Sequence, residues 1–215
     1  MLADMKQLIL FDCDGVLVDT EPLAHDVLVD ALQSVGVAQP LSLAEASVGR
    51  SLADIRLMMT RQEPATDSDQ FWAQLITDTE QAILTRIKPN PAISQVIEQL
   101  SYPICVASSG THQKIRTSLS CAGLLKHFEG KVFSAEDVRR GKPAPDLFLY
   151  AAKAMGVPPE ACCVIEDSKP GLSAADAAGM HSIHYSAGGA SNHAFHARDF
   201  GEIPQLLASI FAMRS

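Results

Sequence analysis

The sequence predicts an α/β fold in which a doubly wound parallel sheet is interrupted by an inserted, all-helical segment. First, the short apolar runs Leu8–Phe11, Ile104–Ala107 and Cys162–Ile165 are rich in Val, Ile, Leu or Cys and end in polar residues. That is the pattern of parallel strands buried on both faces. Second, helical spacing alternates with these runs, which implies right-handed βαβ units. Third, nothing between Thr20 and Lys88 resembles a strand, so residues 20–88 form a helical insertion and residues 1–19 with 89–215 form the sheet domain.

Taken in order, Leu8–Phe11 is the first strand and runs straight into Asp12-Cys13-Asp14-Gly15. Leu23, Val27, Leu28, Ala31, Leu32 and Val35 then keep helical spacing, and Gly36 supplies a stop. Ser42 with Glu45 has capping-box spacing and predicts a second helix start; Ser51 with Asp54 is a weaker version. Phe71, Leu75, Ile76, Ala82 and Ile83 predict a longer helix, and Lys88-Pro89-Asn90-Pro91 reads as an extended return linker. Ile93, Val96, Ile97 and Leu100 precede the second strand, and Ile115 and Leu119 follow it. Weaker strands are expected at Lys131–Phe133 and Ser182–Tyr185, with a last helix carrying Ile203, Leu206, Leu207, Ile210 and Phe211.

Composition narrows the function classes. A chain of 215 residues, 47% hydrophobic and 20% charged, is globular rather than disordered or fibrous. Its 17 basic against 25 acidic residues give a formal charge of −8, which argues against nucleic acid or an anionic membrane as partner. No apolar stretch approaches the roughly 18–20 residues of a membrane span, and no signal-peptide core precedes Asp12. Cys13, Cys105, Cys121, Cys162 and Cys163 are odd in number and lack metal-type C-x-x-C spacing, so a reduced, cytoplasmic setting is expected.

The chemistry-bearing residues gather where strands end. If extended geometry persists past Phe11, Asp12 and Asp14 project to one side and Cys13 to the other. Two close carboxylates at the carboxyl end of a parallel strand sit where such sheets bind ligands, and their repulsion calls for a cation or a proton. Read alone, D-x-D-G is also a turn motif. An EF-hand loop is excluded because its sixth and twelfth positions are Leu17 and Leu23. Ser108-Ser109-Gly110-Thr111 places hydroxyls and backbone N–H groups ahead of a helix, suited to an anion or to ordinary capping. Glu166-Asp167-Ser168 repeats the strand-into-carboxylate design, with oxygen donors fit for a hard cation or for an N-cap. Lys142, ahead of Pro143 and Pro145, is either a turn residue or a point charge for phosphate. Three strand ends and one lysine together supply a nucleophile, an acid, metal ligands and phosphate donors.

These motifs resemble those of the haloacid dehalogenase-like hydrolases, in the helical-cap branch that holds β-phosphoglucomutase and small sugar-phosphate phosphatases. The resemblance rests on residues 11–19 (FDCDGVLVD), Ala107-Ser108-Ser109, residues 141–146 (GKPAPD), and Ile165-Glu166-Asp167-Ser168 with Gly171 and Ala178-Gly179-Met180. It implies a Rossmann-like core with a helical cap after the first motif. It further implies an aspartyl-phosphate mechanism with Asp12 as nucleophile and Asp14 as acid and base. Mg²⁺ would be held by Asp12, the Asp14 backbone carbonyl and Asp167, with Glu166 acting through a water. Ser108, the Ser109 amide and Lys142 would hold the phosphoryl oxygens. Cys13 is expected to face the core and is not counted as a nucleophile.

Asp14 separates phosphoryl transfer from dehalogenase and phosphonatase chemistry, whose enzymes lack the second aspartate. Arg50 resembles the cap arginine that grips a distal anionic group of the substrate, although a solvated arginine at a helix start has the same look. Where the mutase has a histidine five residues past the aspartate matching Asp19, this chain has Ala24, and His25 is displaced by about 100° on a helix. Gly110 and His112 likewise replace the mutase's polar loop groups. The expected activity is therefore a Mg²⁺-dependent phosphatase acting on a small sugar phosphate or organic-acid phosphate. A β-phosphoglucomutase is the alternative, and a non-catalytic relative that only binds is the third reading. The partner is a small phosphorylated molecule, and the chain is expected to be a monomer or weak homo-oligomer. His193 and His196 are read as a surface pair rather than a metal site.

Overall fold

The computed structural model describes residues 6–47, 52–187, 189 and 191–213. It separates into two compact units, one drawn from the chain up to Val18 and from Lys88 onward, the other comprising Asp19–Ile87.

The first unit is built on a six-stranded parallel sheet. In chain order the strands are β1 (Leu8–Phe11), β2 (Ile104–Ser108), β3 (Val132–Ser134), β4 (Cys162–Glu166), β5 (His181–Tyr185) and β6 (His196–Ala197). Their spatial order is β3-β2-β1-β4-β5-β6, the arrangement of a doubly wound sheet whose direction of winding reverses between β1 and β4. Phe11 pairs with Val106 on one side and with Ile165 on the other, so β4 runs one residue and β2 two residues past the end of β1.

The apolar strands have no polar face because both faces are covered. Leu8, Leu10, Cys105, Ala107, Cys162 and Val164 form one cluster with Leu147, Phe148, Ala151, Ala174 and Ala175. Those partners lie on helices Asp146–Met155 and Lys169–Ala177. On the opposite side Phe11 meets Phe128 edge-on at 6.2 Å and stacks on Phe200 at 6.1 Å. Burying one such side chain contributes about 1.5–3 kcal/mol, which is why these runs are continuous rather than alternating.

The second unit holds the first four helices, α1 (Glu21–Ser34), α2 (Pro40–Glu45), α3 (Leu52–Gln62) and α4 (Asp69–Arg86). Val27, Leu28, Leu32, Ala44, Met59, Trp72 and Leu75 make its separate core. Trp72 Nε1 donates to the Thr66 carbonyl at 2.9 Å, and Arg86 pairs with Asp26 at 2.5 Å to join α4 to α1. Gly36 adopts the left-handed conformation that ends α1. Ser42 does not start a helix as its spacing predicts: α2 begins at Pro40, whose fixed φ suits the first turn, and Ser42 lies inside it. Ser51 falls outside the described residues.

The remaining helices return to the sheet unit: α5 (Pro91–Gln99), α6 (His112–Cys121), α7 (Asp146–Met155), α8 (Lys169–Ala177) and α9 (Ile203–Ala212). Strand β6, absent from the expectations, is two residues long and joins the sheet through His184 and Tyr185. Among the described residues no helix is long and apolar enough to cross a membrane.

Candidate active site

The site forms where winding reverses, at the carboxyl ends of β1 and β4, the position at which doubly wound sheets bind ligands. The Asp12 backbone N–H still bonds the Ile165 carbonyl at 3.0 Å, so Asp12 is held in line with the sheet. The chain then turns. Leu17 and Val18 N–H both reach the Cys13 carbonyl at 3.0 Å, and Gly15 N–H reaches the Val18 carbonyl at 2.8 Å. This tight loop presents Asp14 beside Asp12.

Lys142, read from the sequence either as a turn residue or as a phosphate donor, sits inside the carboxylate cluster. Its Nζ lies 2.7 Å from Asp12 Oδ1 and 2.6 Å from Glu166 Oε1, with its side chain only 4% exposed. The ammonium also lies over the Phe148 ring, 4.9 Å from the centroid, which fixes its approach. Burial alone would lower the lysine's pKa, but the Asp12 and Glu166 carboxylates outweigh it and hold Lys142 above its ordinary value. Asp12 moves the other way: burial pushes its carboxyl up to about 7 against the pull of Lys142, and the charges of Glu166 and Asp14 add to the rise. One ammonium does not balance the acids around it, so Asp12 keeps its proton longer than a surface aspartate.

Glu166 is satisfied at both oxygens. Oε1 takes Lys142, and Oε2 accepts from the Ser168 N–H and hydroxyl, each at 2.8 Å. Ser168 in turn caps α8 by accepting from Gly171 N–H at 3.2 Å. Two glycines make room for this packing. A Cβ on Gly15, which has φ +79°, would fall inside the Asp167 carboxylate, and a Cβ on Gly171 would fall inside that of Glu166. The ligand oxygens of Asp12, Glu166 and Asp167 lie within 4.8 Å of one another, the one such convergent group of three or more His, Cys, Asp or Glu side chains among the described residues. All-oxygen donors with excess negative charge fit a hard divalent cation. Lys142 engages Asp12 and Glu166 alike, and Ser168 takes the second Glu166 oxygen.

Asp14 meets a residue that the sequence patterns do not single out. Lys114 Nζ lies 2.8 Å from Asp14 Oδ2 across 100 residues of chain, and both side chains are about one-third exposed. Burial lowers the pKa of Lys114, but Asp14 more than offsets this and raises it. Lys114 stands in the first turn of α6, where Thr111 caps the helix by accepting from its backbone N–H. The available signal was therefore positional: a lysine one turn past the hydroxyl-rich end of β2.

Ser108 and Ser109 stand at the same edge. Ser108 ends β2 and is buried, its Oγ accepting from Gly110 N–H at 3.3 Å, whereas Ser109 is exposed. His112 is engaged with Asp137, Nε2 to Oδ1 at 2.9 Å. Cys13 is buried, and burial with the Asp14 and Asp12 charges pushes its thiol well above its ordinary pKa. His193 and His196 are not a surface pair: both are part-buried, with His193 bonded to Ser182 Oγ at 3.1 Å and His196 stacked on His184 at 5.5 Å. The polar stretch around them folds onto the sheet edge through β6. His184 Nε2 lies 3.1 Å from the Asp167 carbonyl, tying that edge to the acidic loop. Arg50 lies outside the described residues.

The family model for haloacid dehalogenase-like hydrolases matches residues 6–179. The chain is 30% identical over 182 residues to the 6-phosphogluconate phosphatase of Escherichia coli K12, covering 83% of this chain and 82% of that protein. It is 31% identical over 180 residues to hexitol phosphatase A of the same organism, again covering 83% and 82%. The crystal structure of a conserved haloacid dehalogenase-like protein of unknown function from Agrobacterium tumefaciens superposes with a TM-score of 0.81 at 28% identity, over 98% of this chain and all of that one.

Proposed function

The chain belongs to the haloacid dehalogenase-like hydrolases, and from that premise we propose that it is a divalent-metal-dependent phosphatase of a small sugar phosphate or organic-acid phosphate, working through an aspartyl-phosphate. The observation that carries this reading is the cluster of Asp12, Lys142, Glu166 and Asp167 at the switch point, with Asp14 alongside. The phosphatase names of the two relatives support the substrate class.

Asp12 is the nucleophile. Its carboxylate attacks phosphorus, the phosphorus–ester oxygen bond breaks, and Asp14 gives its proton to the leaving alkoxide. Asp14 then takes a proton from the water that attacks the acyl-phosphate, which releases phosphate and restores Asp12. Lys142, Ser108 and the Ser109 amide hold the phosphoryl oxygens, and Glu166 keeps Lys142 aimed at Asp12. Mg²⁺, held by Asp12, Asp167 and the Asp14 carbonyl, would neutralise charge on the phosphoryl group and on Asp12. Cap selection through Arg50 belongs to the same proposal.

The test is hydrolysis of p-nitrophenyl phosphate with Mg²⁺ by the wild type and by Asp12→Asn. Turnover by the wild type that the variant loses supports the assignment; equal rates remove Asp12 as nucleophile. A screen of phosphorylated metabolites then identifies the substrate, with β-glucose 1-phosphate plus a trace of glucose 1,6-bisphosphate included. Efficient formation of glucose 6-phosphate from that mixture would put the mutase reading first.

A further inference from the structure

We infer that Lys114 binds the leaving-group side of the substrate and selects phosphomonoesters that carry a carboxylate a few bonds from the ester oxygen. This rests on the function proposed above, because it takes the leaving oxygen to lie against Asp14.

The argument is geometric. A leaving oxygen that exchanges a proton with Asp14 sits one hydrogen bond from its carboxylate, and Lys114 Nζ sits 2.8 Å from Oδ2 of the same group. The leaving oxygen and the ammonium are then roughly 5–8 Å apart, depending on which carboxyl oxygen is used. A carboxylate two or three bonds beyond the ester oxygen, plus its own hydrogen bond to the lysine, spans that gap. The ammonium carries three N–H donors, and Asp14 takes one. With 31% of its side chain exposed, Lys114 is reachable in a way that Lys142, at 4%, is not. The division of labour follows: Lys142 is enclosed by Asp12 and Glu166, whereas Lys114 faces the departing group. A carboxylate adds Coulombic attraction to the ammonium's hydrogen bond that a neutral hydroxyl lacks, so the residue discriminates between acids and alcohols. It also supplies part of the local positive charge that an anionic substrate requires in a protein of net charge −8.

The substrates that test this differ at one carbon. In 3-phosphoglycerate and glycerol 3-phosphate the same three-carbon chain ends in a carboxylate or in a hydroxymethyl group. The wild type, Lys114→Met and Lys114→Arg are compared on both, with p-nitrophenyl phosphate as the control. The expected result is a wild-type preference for the acid of at least about tenfold in kcat/KM. Lys114→Met erases the preference mainly by raising KM for the acid, and Lys114→Arg retains most of it. Wild-type enzyme that hydrolyses the aryl ester without preferring the acid, or that cleaves neither three-carbon ester, overturns this inference and leaves the proposed function standing. Equal losses on both esters in Lys114→Met also overturn it, since they mark a structural role. Failure on every phosphate ester overturns the function and this inference together.

Discussion

Lys142 and Lys114 both meet an aspartate of the Asp12-Cys13-Asp14 segment, each at hydrogen-bond distance, yet they occupy opposite electrostatic regimes. Lys142 is shut away from solvent between two carboxylates and above an aromatic ring. Lys114 shares a part-exposed pair with a single carboxylate. In the first region burial holds the side chains in place, so the groups are positioned before any ligand arrives and removing one leaves the others uncompensated. In the second, water screens the pair, which lowers its worth to the fold and lets a ligand exchange with it. Under the proposed function, the enclosed half would receive the reacting phosphoryl group and the part-exposed half the group that leaves.

The largest expected effect lies in the enclosed half. Asp12→Asn lowers kcat on p-nitrophenyl phosphate by about a thousandfold or more, because the amide does not replace a carboxylate nucleophile. Lys142→Met comes next. It leaves Asp12 and Glu166 buried without their cation, and urea denaturation in EDTA should show a loss on the order of 3–5 kcal/mol. Lys114→Met in the same denaturation should cost less than about 1 kcal/mol. Similar losses in the two variants would erase the contrast between the regions.

Gly15→Ala probes the fit between the two loops. The added methyl group requires Asp167 to shift, and the residue also holds φ +79°, which alanine rarely adopts. Mg²⁺ affinity measured by calorimetry is expected to fall at least about tenfold; unchanged affinity would separate Asp167 from the cation site.

A smaller effect concerns pH. The Asp12 carboxyl is raised from its ordinary value to about 7 in the fold, chiefly by burial. Between those values the folded chain holds a proton that the unfolded chain has lost, so this group's contribution to stability is full at low pH and falls as pH rises toward 7. In EDTA the wild type should therefore lose more stability between pH 5 and pH 8, a window set by that shift, than Asp12→Asn does. A parallel loss in both proteins would place the carboxyl in an unperturbed setting.

Most of the sheet was legible because its signals are local. Leu8–Phe11 and Cys162–Ile165 are uninterrupted apolar runs, and the candidate nucleophile Asp12 and candidate metal ligands Glu166 and Asp167 follow them directly. The insertion was legible from the absence of strand patterning over residues 20–88. Ser42 misled because capping-box spacing competes with Pro40, which begins a helix at less conformational cost. Strand β6 escaped because two residues carry no periodicity, and it exists only by pairing with β5. Lys114 escaped for the same kind of reason: on α6 it is an ordinary polar position, and its meaning comes from Asp14, 100 residues earlier.

The central claim is that Asp12 carries the phosphoryl group between substrate and water. Acid-quenched peptide mapping by mass spectrometry during turnover of p-nitrophenyl phosphate with Mg²⁺ tests it most directly. The account predicts a hydroxylamine-sensitive phosphate adduct on the peptide that contains Asp12, absent in Asp12→Asn. Turnover with the adduct on another residue, or equal labelling of that peptide in the variant, would contradict it.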